Sequence, residues 1–274
     1  MRIKLASSCG FCFGVKRAIK LAESNPNSVV IGELIHNSRE IDRLDKNFGI
    51  RSAQSIDELN DGDRAIIRTH GIEKTAKERL PKIAADIIDA TCPYVTKPQK
   101  IAEAMSQEGY QAIIFGDSKH PEVKAVLSYA DQNAAVVASV EELDRTALSD
   151  RVALISQTTK SIAAFSEVAA ALIAKVKEAR VFNTICNATY DNQEATRTLA
   201  SEADIMIVIG GKNSSNTKQL HAIALKYCAD SYLIEDGDEL RGEWFKGKRL
   251  CGVSAGASTP DWIIEEATKK IEAF

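Results

Sequence analysis

The sequence predicts an α/β fold built on parallel sheet, and three observations predict it. Six short runs are apolar on both faces instead of alternating, amphipathic helix patterns separate them, and each run leads into Gly, Ser, Thr, Asn or His. Strands buried on both faces belong to parallel sheets with a helix layer on each side. In such sheets ligands collect at the carboxyl ends of the strands. The 274 residues, at roughly 150 per domain, suggest about two domains and leave one large α/β domain or three small modules open.

In chain order the six runs are Val29–Ile35 before His36, Ala65–Arg68 before His70, Ala112–Phe115 before His120, Val152–Ile155 before Gln157, Ile205–Ile209 before Ser214 and Leu250–Val253 before Ser258. Three of the four histidines therefore fall at predicted strand ends. The helices announce their starts. Asn37 with Glu40 forms a capping box, Pro93, Pro121 and Pro260 stand where a first helical residue belongs, and Ser161 precedes the apolar-periodic run to Lys177.

The helix starts sort the six cysteines. Cys12 precedes a helix marked by Val15, Ala18, Ile19 and Ala22; Cys92 precedes Pro93; Cys186 precedes a segment running from about Tyr190 to Ala203. A thiolate at a helix N-terminus is stabilised by the dipole and the free N–H groups. Cys228 at a helix end and Cys251 inside a strand read as small buried hydrophobes. The spacing of Cys12, Cys92 and Cys186, with about two runs in each interval, suggests three similar modules with one cysteine apiece. Their limits are 1–92, 93–186 and 187–274, and the N-terminal strand is free to join the third.

Composition excludes several classes. With 45% hydrophobic and 27% charged residues the chain is neither disordered, collagenous nor coiled coil. A net charge of −3, without a basic stripe, argues against nucleic-acid binding as a main activity. No apolar run reaches the roughly 18 residues of a membrane helix. Arg2 and Lys4 ahead of Leu5–Val15 imitate a signal peptide, but serines and cysteines interrupt the run and no A-x-A site follows. The expected location is the cytoplasm, where structural disulfides are rare.

Several motifs carry competing readings. Cys9-Gly10-Phe11-Cys12 has the context of a thioredoxin-like redox pair, which leaves Cys92 and the histidines unexplained. Gly242-x-x-x-x-Gly247-Lys248 resembles a phosphate loop, but Arg249 replaces the Ser/Thr and a strand follows. Gly211–Thr217 and Ser254–Pro260 place small polar side chains at predicted helix starts, where they can cap a helix or donate to an anion. Together with three strand-end histidines they favour a phosphorylated ligand. His120-Pro121-Glu122 and Gln157-Thr158-Thr159 are caps or site residues, and His221 in mid-helix reads as structural. Three cysteines fall short of a closed zinc site unless a histidine joins them; they suit a [4Fe–4S] cluster with one iron left open.

Nine segments then carry a specific resemblance. Gly10–Val15, Ile35-His36-Asn37, Arg68–Gly71, Asp89–Pro93, His120-Pro121-Glu122, Ser156–Thr159, Ile185–Thr189, Asn213–Asn216 and Ala255–Ser258 are similar, in order and across almost the whole chain, to the motif set of the 4-hydroxy-3-methylbut-2-enyl diphosphate reductase family. The resemblance implies three α/β modules around a pseudo-threefold axis, with a central [4Fe–4S] cluster held by Cys12, Cys92 and Cys186. It implies a diphosphate bound by His36, His70, His120, Ser214, Ser215, Asn216 and Ser258, with Gln157 lining the pocket. Thr158 would bond the substrate hydroxyl, and Glu122, aided by His120, would deliver protons. The reaction would remove that hydroxyl with two electrons and two protons, giving isopentenyl and dimethylallyl diphosphate. With no flavin or nicotinamide motif, electrons would come from a ferredoxin or flavodoxin. Two departures stand out: Lys119 occupies a position where glycine is common, and Cys9 is not a family ligand. A thiol–disulfide oxidoreductase using Cys9 and Cys12, and a non-catalytic iron–sulfur carrier, are the other readings.

Overall fold

A computed structural model describes all residues, Met1–Phe274. The chain opens with β1 (Arg2–Leu5) and α1 (Phe13–Glu23). It continues through β2 (Val29–Ile31), α2 (Ser38–Phe48), β3 (Arg51–Ala53), β4 (Arg64–Ile67), α3 (Lys74–Arg79) and β5 (Asp86–Asp89). Then come α4 (Pro93–Gln107), β6 (Gln111–Phe115), α5 (Pro121–Leu127), β7 (Ala135–Val137), α6 (Val140–Arg145), β8 (Arg151–Ser156), α7 (Ile162–Ile173) and β9 (Glu178–Phe182). The last stretch holds α8 (Asn187–Ala200), β10 (Ile205–Ile209), α9 (Ser215–Tyr227), β11 (Ser231–Ile234), β12 (Leu250–Ala255) and α10 (Asp261–Glu272).

Three four-stranded sheets result, with orders β3-β2-β4-β5, β7-β6-β8-β9 and β1-β12-β10-β11. Every pairing is parallel. The chain divides into two compact units. One contains Met1–Lys16, Ile35–Asp42 and Asn187–Phe274, including the β12 sheet; the other contains Arg17–Leu34 and Arg43–Cys186, including the other two sheets.

The double-sided burial expected from the apolar runs is present. In the second unit Ile113, Phe115 and Leu154 pack with Phe165, Val168 and Leu172 of α7, while the alternate residues Ile114 and Ile155 pack with Ala102 of α4 and Val123 of α5. In the first unit Ile205, Ile207 and Ile209 face Ile263, Ile264 and Ala267 of α10, and Met206 and Val208 face Leu199 of α8 and Leu220 of α9. Successive strand residues point to opposite faces, so a continuous apolar run is what a two-faced sheet requires. No helix is long and apolar enough to cross a membrane.

Three details depart from the sequence reading. The run Val29–Ile35 ends as a strand at Ile31, because Gly32 takes a positive φ of 78° that breaks the extended backbone. Pro260 is the N-cap of α10, not its first residue. The helix after Cys186 begins at once, at Asn187, and stops at Ala200.

Candidate active site

The first unit gathers one set of predicted residues around the carboxyl ends of β10 and β12. Cys12 sits just before α1, and its backbone N–H donates to Ala257 O at 3.2 Å, anchoring the cysteine loop beyond β12. Ser258 Oγ donates to His36 O at 3.1 Å. Gly211 lies so close to His36 that a Cβ there would stand 2.4 Å from the same carbonyl oxygen, which is why this turn needs glycine. Asn37 Oδ1 caps α2 by accepting from Glu40 N at 3.1 Å, and the Glu40 carboxylate accepts from Trp262 Nε1.

Ser214 is the N-cap of α9, its side chain accepting from Thr217 N. Ser215 and Asn216 occupy the first turn. Asn216 is 4% exposed, and neither its amide nitrogen nor its amide oxygen has a hydrogen-bond partner. Burying an unpaired amide costs about 1–3 kcal/mol, a cost that a ligand polar group would remove. A helix N-terminus lined by Ser214, Ser215 and Asn216 presents N–H groups and partial positive charge to an anion.

The second unit gathers the other set. Cys92 is the N-cap of α4, with Pro93 as the first helical residue, and its N–H donates to Thr69 O at 3.0 Å, beside His70. His70 and His120 make an edge-to-face contact with ring centroids 5.3 Å apart. His120 caps α5: its Nδ1 accepts from Glu122 N at 3.2 Å, which assigns the proton of the neutral ring to Nε2 and leaves that nitrogen a donor.

Glu122 is the most perturbed group of the set. It is 1% exposed. Thr158 holds both carboxylate oxygens, its N–H donating to Oε1 at 2.7 Å and its hydroxyl to Oε2 at 2.8 Å. Burial pushes the carboxyl up to about 7, against the two Thr158 hydrogen bonds that pull it down. Thr158 O in turn accepts from Cys186 N at 3.0 Å. Gln157 Oε1 accepts from Asp117 N, tying the end of β8 to the turn before His120.

Lys119 fits that turn without glycine's freedom. It is not among the positive-φ residues, and its N–H donates to Asp117 Oδ1 at 2.9 Å. His221 Nε2 lies 3.1 Å from Ser231 O, a structural contact within the third sheet module. The Gly242–Gly247 segment forms a 3-10 turn in which Trp244 stacks on Tyr232 and β12 follows, so it is no phosphate loop. Two supporting residues escaped the sequence reading. Thr184 braces the strand end below Gln157, its hydroxyl accepting from Ser156 N, and Arg17 donates to the carbonyls of Asp89 and Thr91, just before Cys92. A threonine in a loop and an arginine on an amphipathic helix carry no spacing signal.

The cysteines separate as their positions suggest. Cys12, Cys92 and Cys186 are partly exposed, whereas Cys228 and Cys251 are buried. Burial pushes the Cys251 thiol up to about 12. The Cys9 thiol is also pushed up, by burial and then by Asp261, the opposite of what a reactive redox thiol needs.

With this geometry in hand, comparison with known proteins is decisive. The model of the LytB protein family matches residues 3–272. The chain belongs to the LytB family. Among curated LytB relatives, the 4-hydroxy-3-methylbut-2-enyl diphosphate reductase of Campylobacter concisus is 58% identical over 272 residues, covering 99% of each chain. That of Wolinella succinogenes is 58% identical over 274 residues, covering 100% of this chain and 99% of its own. A solved reductase described as the terminal enzyme of the non-mevalonate pathway is 42% identical, with a TM-score of 0.72 and 99% of both chains covered. The Plasmodium falciparum reductase structure has a TM-score of 0.91 at 26% identity, covering 99% of this chain and 87% of that one.

Proposed function

We infer that this LytB-family chain performs the reaction its relatives are named for, the reductive removal of the hydroxyl of 4-hydroxy-3-methylbut-2-enyl diphosphate, giving isopentenyl and dimethylallyl diphosphate in the cytoplasm. The observation that carries the reading is the Glu122–Thr158 pair, a nearly neutral buried acid gripped at both oxygens by a threonine whose own carbonyl holds Cys186. Modules 1–92, 93–186 and 187–274 contribute one cysteine each, and Cys12, Cys92 and Cys186 hold a [4Fe–4S] cluster.

The donor set fits that group. Each of the three cysteines precedes or caps a helix and is partly exposed, which leaves the sulfur accessible to a metal cluster. When bound, such a cluster supplies single electrons and, at an iron without a protein thiolate, the Lewis acidity that weakens the substrate's C–O bond. Protein residues supply the rest. Ser214, Ser215, Asn216 and Ser258, with His36, His70 and His120, bind the diphosphate by charge and N–H donation. Gln157 shapes the wall. When Glu122 is protonated at Oε2 it donates to Thr158 Oγ1, and the Thr158 hydroxyl then donates to the substrate oxygen that leaves as water. Electrons come from a ferredoxin or flavodoxin.

Anaerobic purification with iron and sulfide analysis tests the ligand set. Cys12→Ser, Cys92→Ser and Cys186→Ser should each lose most iron and activity. Cys9→Ser, Cys228→Ser and Cys251→Ser should keep the iron. Full iron in Cys92→Ser would sink the assignment, and loss of turnover in Cys9→Ser with iron intact would revive the thiol–disulfide reading.

A further inference from the structure

Along one face of α4 runs a groove of about 640 Å³ that the reaction leaves unused. Its floor is apolar: Ile101, Met105 and Phe182 form it, and all three belong to one apolar cluster. Its rim carries Lys97 and Lys100, both exposed and neither in an ion pair. Cations nearby are engaged differently, Lys74 with Glu103 and Lys77 with Asp89. Lys97 and Lys100 are thus uncompensated positive charge on a protein whose net charge is −3.

One end of the groove is lined by the residues that flank Cys92 in the chain. Thr91 and Pro93, on either side of Cys92, line it together with Arg17, whose guanidinium donates to Thr91 O at 3.2 Å and Asp89 O at 3.1 Å. The one acid on the rim, Asp89, is held by Lys77 and by Thr91 N, so its charge is compensated. Tyr94, two residues beyond Cys92, is 43% exposed.

We propose that this groove docks an acidic one-electron carrier protein and that electrons enter the molecule past Cys92. The proposal rests on the reductase reading, which requires an external electron source. The chemistry matches: electron-transfer encounters are small, weak interfaces, and they depend on a charged rim to steer association against a small apolar contact. An overall negative protein would repel an acidic carrier, so a local cationic rim is what permits approach. Electron transfer slows steeply with distance, and a carrier seated here lies against the residues that flank a proposed cluster ligand.

The test uses iron-loaded, anaerobically purified protein and compares two reductants, dithionite and a prereduced acidic ferredoxin, across a salt series. In Lys97→Glu/Lys100→Glu the ferredoxin-driven rate should fall at least tenfold at low ionic strength and lose its decline with salt, while dithionite turnover stays within twofold. The neutral pair Lys97→Gln/Lys100→Gln should show an intermediate loss, and decides the matter if the reversed pair loses iron. An unchanged ferredoxin rate and salt dependence overturns the proposal. So does a changed sedimentation coefficient with an unchanged ferredoxin rate, which would assign the groove to a second copy of the chain. Wild-type protein that holds iron yet gives no product even with dithionite would instead defeat the reductase reading.

Discussion

Glu122 illustrates how environment sets one carboxyl of many apart. Its pKa of about 7 puts the proton where a general acid near neutral pH needs it. The sign for stability follows. A carboxyl raised in the folded state costs nothing below its ordinary pKa near 4.5, and the cost grows to about 3 kcal/mol as pH passes 7. The folded protein should therefore lose stability between roughly pH 4.5 and 7 through this group, and Glu122→Gln should remove that dependence. Turnover in Glu122→Gln should fall by roughly a hundredfold or more with substrate still bound, and the decline of kcat/KM above about pH 7 should vanish. His36→Ala should raise KM more than it lowers kcat. Steady-state kinetics against pH with a chemical reductant measures all three, and near-normal turnover in Glu122→Gln would remove Glu122 from the mechanism. Single residues of this kind were legible in the sequence only through motif resemblance. The strand-end position of His120-Pro121-Glu122 left a cap and an acid equally open; in the structure His120 does the capping, and the Glu122 carboxylate turns inward to Thr158.

Strands divide cleanly by position in their sheets. The six apolar runs correspond to β2, β4, β6, β8, β10 and β12, the two inner strands of each sheet. The other six strands are all edges. Edge strands have a neighbour on one side and partial solvent exposure, so their residues need not be apolar: β5 is Asp-Ile-Ile-Asp and β9 is Glu-Ala-Arg-Val-Phe. Those two strands offer neither a long apolar run nor strict alternation, so there was no pattern to read in them. The same contrast should govern stability. Ile207→Ala, in an inner strand and 0% exposed, should cost about 2–5 kcal/mol. Val181→Thr on β9, 40% exposed, should stay within about 0.5 kcal/mol. Urea unfolding of both variants checks this, and equal losses would mean that β9 is as buried in solution as β10.

At the scale of the whole chain, the repeated plan of four parallel strands places His36, His70, His120, Gln157, Ser214 and Ser258 in the loops that follow the six inner strands, which is why the candidate site residues concentrate in loops. Three modules were legible from cysteine spacing and paired inner strands, and in the structure Arg2–Leu5 pairs with Leu250–Val253, the partnership that the sequence left open for the N-terminal strand because pairing across the full chain length leaves no trace in either segment. Anaerobically purified, iron-loaded protein should be given 4-hydroxy-3-methylbut-2-enyl diphosphate and dithionite, and the products separated. Isopentenyl and dimethylallyl diphosphate should form over many turnovers, and neither should form with Cys92→Ser. Wild-type protein with about four irons per chain that leaves the substrate intact would contradict the assignment.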